Sequence, residues 1–450
     1  MTFSLYVGLI LGAFTWGFLA DIVGRRLSFN ATLFIGGVFG IAGGGAPSFT
    51  GLGGLLAALG FGVGGSLPVD GMLFLEFIPG SHQYLLTLLS IFWAVGQLIA
   101  SLIAWAFIAN YTCAGSNSAP ATAGPCNTAE NMGWRYTFYT LGAFTLVSFI
   151  LRFFIIRLPE SPKFLIAHNR DAEAVAVIRD IAQRNGKSLP DDVLSVAILK
   201  AAAGEDSDVP EDVPEIKTGV KSVLGDIVAV PKAFGEAVKG MNAQSLKPNW
   251  SRARPLFATK KLTYNTLILW ACWALIGISY PLYNAFLPSY LADRFTGDNS
   301  TYATYRDYAI ISACGVPGSL IAAWLVELPR SGRRGALAIS TLATGVFIFG
   351  LSGAQSADAY LGLNCAAALV QNSMYGVLYA ITPESFPSPV RGLGDGVASS
   401  LNRVTGILAP VIRITSNNAS APLFISGALF IVSAALSATL PVETAGRSAL

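Results

Sequence analysis

Gly17-Phe18-Leu19-Ala20-Asp21-Ile22-Val23-Gly24-Arg25-Arg26 decides the reading of this chain. A short acidic-to-basic turn, Asp21-x-x-Gly24-Arg25-Arg26, lies between two long apolar runs. A second copy, Glu327-Leu328-Pro329-Arg330-Ser331-Gly332-Arg333-Arg334, again separates apolar runs, with Glu327 standing 306 residues after Asp21. A basic turn repeated in that setting marks a membrane protein built from two related halves.

Composition supports the class. The 450 residues are 53% hydrophobic and only 12% charged, far from the balance of a soluble domain. Runs long enough to cross a bilayer need about 20 apolar residues. They fall at roughly 3–20, 29–47, 52–77, 84–108, 135–156, 264–290, 307–326, 336–353, 360–381, 393–412 and 421–440, which makes eleven. The expected fold is an all-α polytopic membrane protein. Gly60-Phe61-Gly62-Val63-Gly64-Gly65 resembles a nucleotide-binding string, but no alternating strand precedes it, so it reads as close helix packing.

The net charge of +3 says little; its distribution says more. One set of alternate loops holds Arg25, Arg26, the segment 157–262, Arg330 to Arg334, Arg391 and Arg447, while the opposite set holds little beyond Arg294 and Arg306. The positive-inside rule places the first set, and the C-terminus, in the cytoplasm. Asn110-Tyr111-Thr112, Asn299-Ser300-Thr301 and Asn418-Ala419-Ser420 are then glycosylation patterns in outer loops. Cys113 and Cys126 share one outer loop, where a local disulfide is plausible. Cys272, Cys314 and Cys365 fall within spans and read as packing residues. No CxxC pair is present and the chain has two histidines, so no metal site and no cofactor is expected.

The expected division is a first transmembrane bundle over 1–156, a cytoplasmic linker over 157–262 and a second bundle over 263–450. Within the linker, Asp171 to Arg184 reads as an amphipathic helix with Ala174, Val177, Ile178 and Ile181 on one side. The acidic, proline-broken run Glu205 to Glu215 reads as disordered, and the basic run Lys247 to Lys261 as a membrane-surface anchor. Further pairs support duplication. Glu76-Phe77-Ile78-Pro79 answers to Glu384-Ser385-Phe386-Pro387, and Pro159-Glu160-Ser161-Pro162 to Pro441-Val442-Glu443-Thr444, in the same order as the basic turns.

On these motifs, with Pro68-Val69-Asp70, Thr382-Pro383-Glu384 and Arg391-Gly392, the chain resembles the major facilitator superfamily, in particular the sugar-porter clan and its synaptic-vesicle-glycoprotein-like branch. The resemblance implies two pseudo-symmetric six-helix bundles with the basic turn between helices 2 and 3. On that template the first apolar run is helix 2 and helix 1 is absent; a native start upstream of Met1 is expected, with an eleven-helix relative as the alternative. Two departures stand out. His82-Gln83 replaces the Arg-Gly pair that usually follows the helix 4 Glu-Pro, which weakens that arm of the charge network. The Gln-rich helix 7 signature of hexose carriers is replaced by Trp270-Ala271-Cys272-Trp273 and Tyr280-Pro281-Leu282-Tyr283-Asn284.

Ionisable groups at bilayer depth need a reason. Asp70 follows Pro68 near the middle of its span and is a candidate to take up and release a proton; a carboxylate permanently paired with a neighbour is the competing reading. Arg403 lies about eleven residues into its span and could hold a carboxylate or phosphate bidentately. A structural role for it is slightly favoured, because helix 11 in the resembled fold is peripheral to the cavity. Arg135 and Arg152, near opposite ends of one span, can snorkel and carry little weight as site residues. Asp21, Arg25, Arg26, Glu76, Glu327, Arg333, Arg334, Glu384 and Arg391 form the expected gating charge network, whose pairs hold one conformation and break in the other. Trp93, Gln97, Tyr280, Tyr283, Asn284, Gln371, Asn372, Tyr375 and Tyr379 combine aromatic faces with hydrogen-bonding groups, as a polar solute requires.

The function expected is secondary transport of a small polar organic solute, sugar-like or an organic acid, by alternating access with protons as a candidate driving ion. The protein is expected to be a monomer in the bilayer, in the plasma membrane rather than an internal one, with no nucleic-acid partner. No enzymatic role is expected: Gly186-Lys187-Ser188 resembles the end of a phosphate loop, but Ile181 stands where that loop needs its first glycine. The competing class is a non-transporting relative with a regulatory or receptor role.

Overall fold

In a computed structural model of the chain, the residues described are 2–79, 82, 84–112, 131–155, 159–190, 192–203, 213, 253–284, 301–328, 331–387, 390–416 and 421–444. Cys113, Cys126, Arg294, Arg330, Arg447, Gln83, and the sites at Asn299 and Asn418 lie outside them, as do nearly all of 204–252 and the side chain of Asp21. Among the described residues the regular structure is helical.

The first half contains α1 (Thr2–Val23), α2 (Arg25–Gly44), α3 (Phe49–Phe77), α4 (Tyr84–Leu88), α5 (Ile91–Ile108) and α6 (Gly133–Ile155). Three short helices follow, α7 (Pro162–Ala167), α8 (Asp171–Arg184) and α9 (Val196–Ala203). The second half contains α10 (Lys260–Asn284), α11 (Thr301–Glu327), α12 (Gly332–Leu351), α13 (Ala357–Glu384), α14 (Arg391–Gly406), α15 (Leu408–Thr415) and α16 (Ala421–Ala438). Eight spans have the length and apolarity to cross a bilayer: α1, α2, α3, α4 with α5, α10, α11, α12 and α16. The more polar α13 and α14 place their polar side chains inside the bundle, where Asn364, Gln371, Asp395 and Arg403 are all buried.

Small residues set how closely these helices approach. The Gly60–Gly65 string wedges α3 between α1 and α2. A Cβ at Gly60 would stand 2.5 Å from the Leu5 carbonyl oxygen, and one at Gly62 2.8 Å from the Gly36 nitrogen. The Trp16 indole donates to the Phe61 carbonyl at 3.1 Å across the same seam. In lipid, where burying apolar surface does not drive helices together, such close backbone approach is the main source of association.

Packing repeats between the halves. In the first, α1 lies on α3, α2 on α3, and α2 on α6; in the second, α11 lies on α13, α12 on α13, and α12 on α16. The most extensive seams between the halves are α1 against α14 and α5 against α11, with smaller ones where α3 and α4 meet α11, α13 and α14. The α1–α14 seam is antiparallel. A Cβ at Gly17 would lie 2.7 Å from the Gly392 oxygen, and one at Gly396 3.0 Å from the Ala13 oxygen.

Outside the bundle, α8 runs over the span its periodicity predicts and buries Ala174 and Val177 against Phe164 and Leu165, with Ile181 alongside. It ends at Gly186, whose φ of +70° suits glycine. Gly186 N–H donates to the Gln183 carbonyl at 3.0 Å and Lys187 N–H to the Ala182 carbonyl at 2.9 Å. Gly186-Lys187-Ser188 is therefore the stop of a helix.

Candidate functional site

Each basic turn is built the same way. Gly24 has φ 115° and ψ 151°, a region open to glycine alone, so the chain reverses from α1 into α2 within one residue. Gly332 holds the matching position at the start of α12 with φ 55°. Each turn leaves backbone N–H groups of the new helix without intrahelical acceptors. In the first half the Glu160 carboxylate accepts from Arg25 N–H at 2.9 Å and from Arg26 N–H at 3.3 Å. In the second, the Glu443 carboxylate accepts from Arg333 N–H at 2.9 Å and from Arg334 N–H at 3.3 Å. Burial pushes the Glu160 carboxyl up, opposed by the backbone N–H groups of Ser161, Arg26 and Arg25 and by the Arg25 charge.

The arginine side chains complete each clasp. Arg25 Nε lies 3.1 Å from Glu76 Oε1, and the guanidinium sits 5.0 Å from the centre of the Phe164 ring. Arg333 Nε lies 2.7 Å from Glu384 Oε2, which also accepts from the Thr444 hydroxyl at 2.6 Å. Arg334 donates to the Leu440 carbonyl at 3.1 Å. These pairs lie within a half, not across the two. Charges of the two halves meet at Lys163 of α7, which feels both Glu76 and Arg391. Glu327 is exposed, and His82, also exposed, has its ring 6.3 Å from that of Tyr84.

Above this basic end lies a cavity of about 180 Å³ between the halves. Asp70 and Gly71 of α3, Leu86 of α4, Leu89, Ser90, and Phe92 and Trp93 of α5 line one side, and Gly376 and Tyr379 of α13 line the other. The Asp70 side chain is open to this space. Trp93 meets Tyr379 edge-on across the halves, with ring centres 4.3 Å apart. From Tyr379 the aromatic surface continues to Trp273 at 4.7 Å and Tyr375 at 6.0 Å, and from Tyr375 to Tyr280 at 5.3 Å.

The other soft candidates are placed differently. The Tyr283 hydroxyl is committed to the buried Asn364. Asn284 and Asn372 each return an amide bond, at 3.1 Å, to the carbonyl one turn earlier in their own helix, Tyr280 and Ala368. Asn372 also packs on Gly315 and Gly318 of α11. Gln371 is buried with its amide nitrogen unpartnered, and Gln97 is exposed on α5.

Helix α14 packs on α1 of one half and α10 of the other, where Gly392, Gly394 and Gly396 admit close neighbours. Arg403 is accordingly buried, with its Nη1 donating to the Ser399 carbonyl at 2.7 Å and hydroxyl at 2.5 Å, and its Nε unpartnered. It also hydrogen-bonds Tyr379, and its charge reaches Tyr6. The two arginines of α6, which could snorkel, turn inward instead. Arg135 donates to the Gly44 carbonyl at 2.8 Å and Arg152 to the Phe29 carbonyl at 3.2 Å, so they pin both ends of α2. A backbone carbonyl within reach outcompetes a climb to the interface when the side chain starts on the inner face.

Asp395 was missed in the sequence. It is buried on α14 between Arg391 and Arg403, whose charges act on it. Its signal was there: Arg391, Asp395, Ser399 and Arg403 follow at intervals of four, a single helical stripe.

Residues 1–410 match the Major Facilitator Superfamily. The chain belongs to that superfamily. This major facilitator protein is 46% identical over 455 residues to the MFS siderochrome iron transporter 1 of Ceriporiopsis subvermispora, a match covering 100% of this chain and 81% of that protein. It is 41% identical over 450 residues to the major facilitator-type transporter hxnZ of Emericella nidulans, covering 99% of this chain and 76% of that protein. Its fold is that of the proton:xylose symporter XylE solved with 6-bromo-6-deoxy-D-glucose, with a TM-score of 0.67 at 16% identity over 99% of this chain and 86% of that one. The protein is an integral membrane secondary transporter of a small solute.

Proposed function

We propose that this transporter carries a small organic acid together with a proton, by alternating access, with Arg403 as the anion's anchor and Asp70 as the proton carrier. The observation that carries this reading is Arg403: a buried guanidinium hydrogen-bonded to the cavity residue Tyr379 and close to the Asp395 charge, whose Nε still makes no hydrogen bond. Such a group favours a ligand that brings a negative charge, since a bidentate carboxylate can satisfy it. The aromatic surface of Trp93, Tyr375 and Tyr379 suits a flat or apolar body more than a ring of hydroxyls. Asp70, on the opposite wall, supplies a site that can be charged or neutral in the two halves of the cycle. The clasps around Arg25 and Arg333 serve as the gating network by keeping each half rigid while the α1–α14 and α5–α11 seams open and close. The membrane in this reading is the plasma membrane, with the basic end facing the cytoplasm.

Purified protein in proteoliposomes, given an inward proton gradient and a panel of labelled monocarboxylates and hexoses, tests the reading. Accumulation of a carboxylate that is lost in Asp70→Asn and in Arg403→Ala is the expected result. Accumulation of a hexose unaffected by Arg403→Ala overturns the substrate class. Neither accumulation nor exchange across the panel favours a non-transporting role.

A further inference from the structure

Cys314 of α11 and Cys365 of α13 take no part in the cavity or in the clasps. Their helices pack directly on one another, and α12, packed on both, carries the chain back between them, so α11 and α13 run parallel. Glycine sets their spacing. A Cβ at Gly315 would run into the Asn372 amide, and one at Gly318 into the Leu369 carbonyl oxygen. Backbones that close bring side chains one turn away within reach of a disulfide, which needs Cα atoms about 4.4–6.8 Å apart. One turn back from Gly318 and Leu369, in the same register, stand Cys314 and Cys365. A hydrogen bond joins their two sulfurs. Neither is in a disulfide, and each keeps part of its surface open. Cys272 differs: it is buried in α10 and donates to the Ser433 carbonyl at 3.7 Å, as a packing residue does.

The place of the pair along α11 gives it a consequence. Pro317 lies inside that helix, three residues past Cys314. A proline has no N–H, so the Ala313 carbonyl loses its intrahelical donor and α11 can bend there. The arm of α11 ahead of Pro317 also reaches the first half of the protein. Helix α11 packs on α5, and near its start Tyr302 meets Trp105 of α5 with ring centres 5.4 Å apart. That arm therefore touches its own half and the opposite one, and a cross-link at Cys314 would settle which of them it follows.

We propose that Cys314 and Cys365 are a redox staple, closed by hydrogen peroxide to a disulfide that fixes the first arm of α11 to α13 ahead of the Pro317 bend. One sulfur, as thiolate, attacks a peroxide oxygen: an S–O bond forms, the O–O bond breaks, and the departing hydroxide takes up a proton as water. The second sulfur then attacks the resulting sulfenic acid; the S–S bond forms, the S–O bond breaks and a second water leaves. Two thiols are oxidised and one hydrogen peroxide is reduced to two waters. A dithiol reductant reverses the change by thiol–disulfide exchange. The staple is independent of which solute is carried.

Mass spectrometry of the full chain in nanodiscs, treated with hydrogen peroxide and digested without reduction, tests this. A peptide pair joined through Cys314 and Cys365, lighter by two hydrogens than its parts and separated by dithiothreitol, is the expected product. Hydrogen–deuterium exchange of the backbone over 301–313 should slow by about tenfold or more in the oxidised protein and recover on reduction. Cys314→Ser and Cys365→Ser should each abolish both the joined pair and the slowing. If saturating peroxide gives no joined pair, or oxidises the two cysteines separately to sulfinic acids, the staple is overturned. A joined pair with unchanged exchange over 301–313 overturns its hold on the arm. Should either serine variant not fold, the wild type with and without dithiothreitol decides alone.

Discussion

Arg333 Nε lies 2.7 Å from Glu384 Oε2, with the two side chains 3% and 0% exposed. The same pair stands 308 residues earlier as Arg25 and Glu76. An ion pair so deep is weak grounds for net stability, but losing one partner strands the other. Glu384→Gln should destabilise the second half by about 3–5 kcal/mol. Thermal unfolding in detergent checks this; a melting temperature equal to wild type contradicts it.

Arg25 separates cycling from assembly. Arg25→Ala leaves Glu160 its backbone contacts from Arg26 and Ser161, so the turn itself can form. Stranding Glu76 should lower thermal stability, as for Glu384→Gln, while membrane insertion persists and transport per folded molecule falls at least tenfold. Undiminished transport in a well-expressed variant would count against a gating role.

Gly24→Ala faces a different obstacle. The left-handed backbone disfavours any side chain, and the new Cβ would stand 2.5 Å from Glu160 Oε2. The expected cost is about 1–3 kcal/mol. Combined with Glu160→Gln, the loss should be smaller than the sum of the two, because both disturb one clasp. Additive melting shifts would refute the shared origin.

Gly17 tests the seam between the halves. Gly17→Val puts bulk where the Gly392 carbonyl approaches, so α1 and α14 should be held apart. A cysteine introduced at Ala13 should react faster with a water-soluble maleimide in that background, and net uptake should slow. Unchanged labelling would mean that the seam does not close during the cycle.

Arg403→Lys keeps the charge but loses the fork, and Tyr379→Phe keeps the ring but loses the hydroxyl. For a carboxylate solute, the lysine variant should raise KM about tenfold or more, as for a lost charge-assisted contact of about 1.5–3 kcal/mol. The phenylalanine variant should show a smaller rise. Equal KM values in Arg403→Lys and wild type would place the anion elsewhere.

The motifs made the two-half architecture legible before any coordinates, because duplication repeats residue types in order, and order survives in a linear string. What was not legible depended on partners far along the chain. Pro159-Glu160 and Val442-Glu443 were visible as matched motifs, but nothing local says that each carboxylate will settle on backbone N–H groups, in the first case 135 residues away. The inward turn of Arg152 was not visible, because distance from a helix end does not tell an inward face from an outward one. Asp395 was overlooked inside the span 393–412, although its four-residue spacing to Arg391 and Ser399 marks a helical face. Of the cavity, Asp70, Trp93 and Tyr379 were named in the sequence; that they share one wall-to-wall space depends on how α3, α5 and α13 cross.

Glu160 and Glu443 each come from just beyond the last long helix of their own half, and each returns to the start of that half's basic-turn helix. Every repeat is therefore tied shut by its own tail, like a parcel whose string ends are knotted on the same parcel. The boundaries of the moving bodies follow from these knots. Lengthening the connection between the halves would alter how far they can part while leaving both bodies intact. Cutting the chain before Glu443 would instead loosen the second body from within.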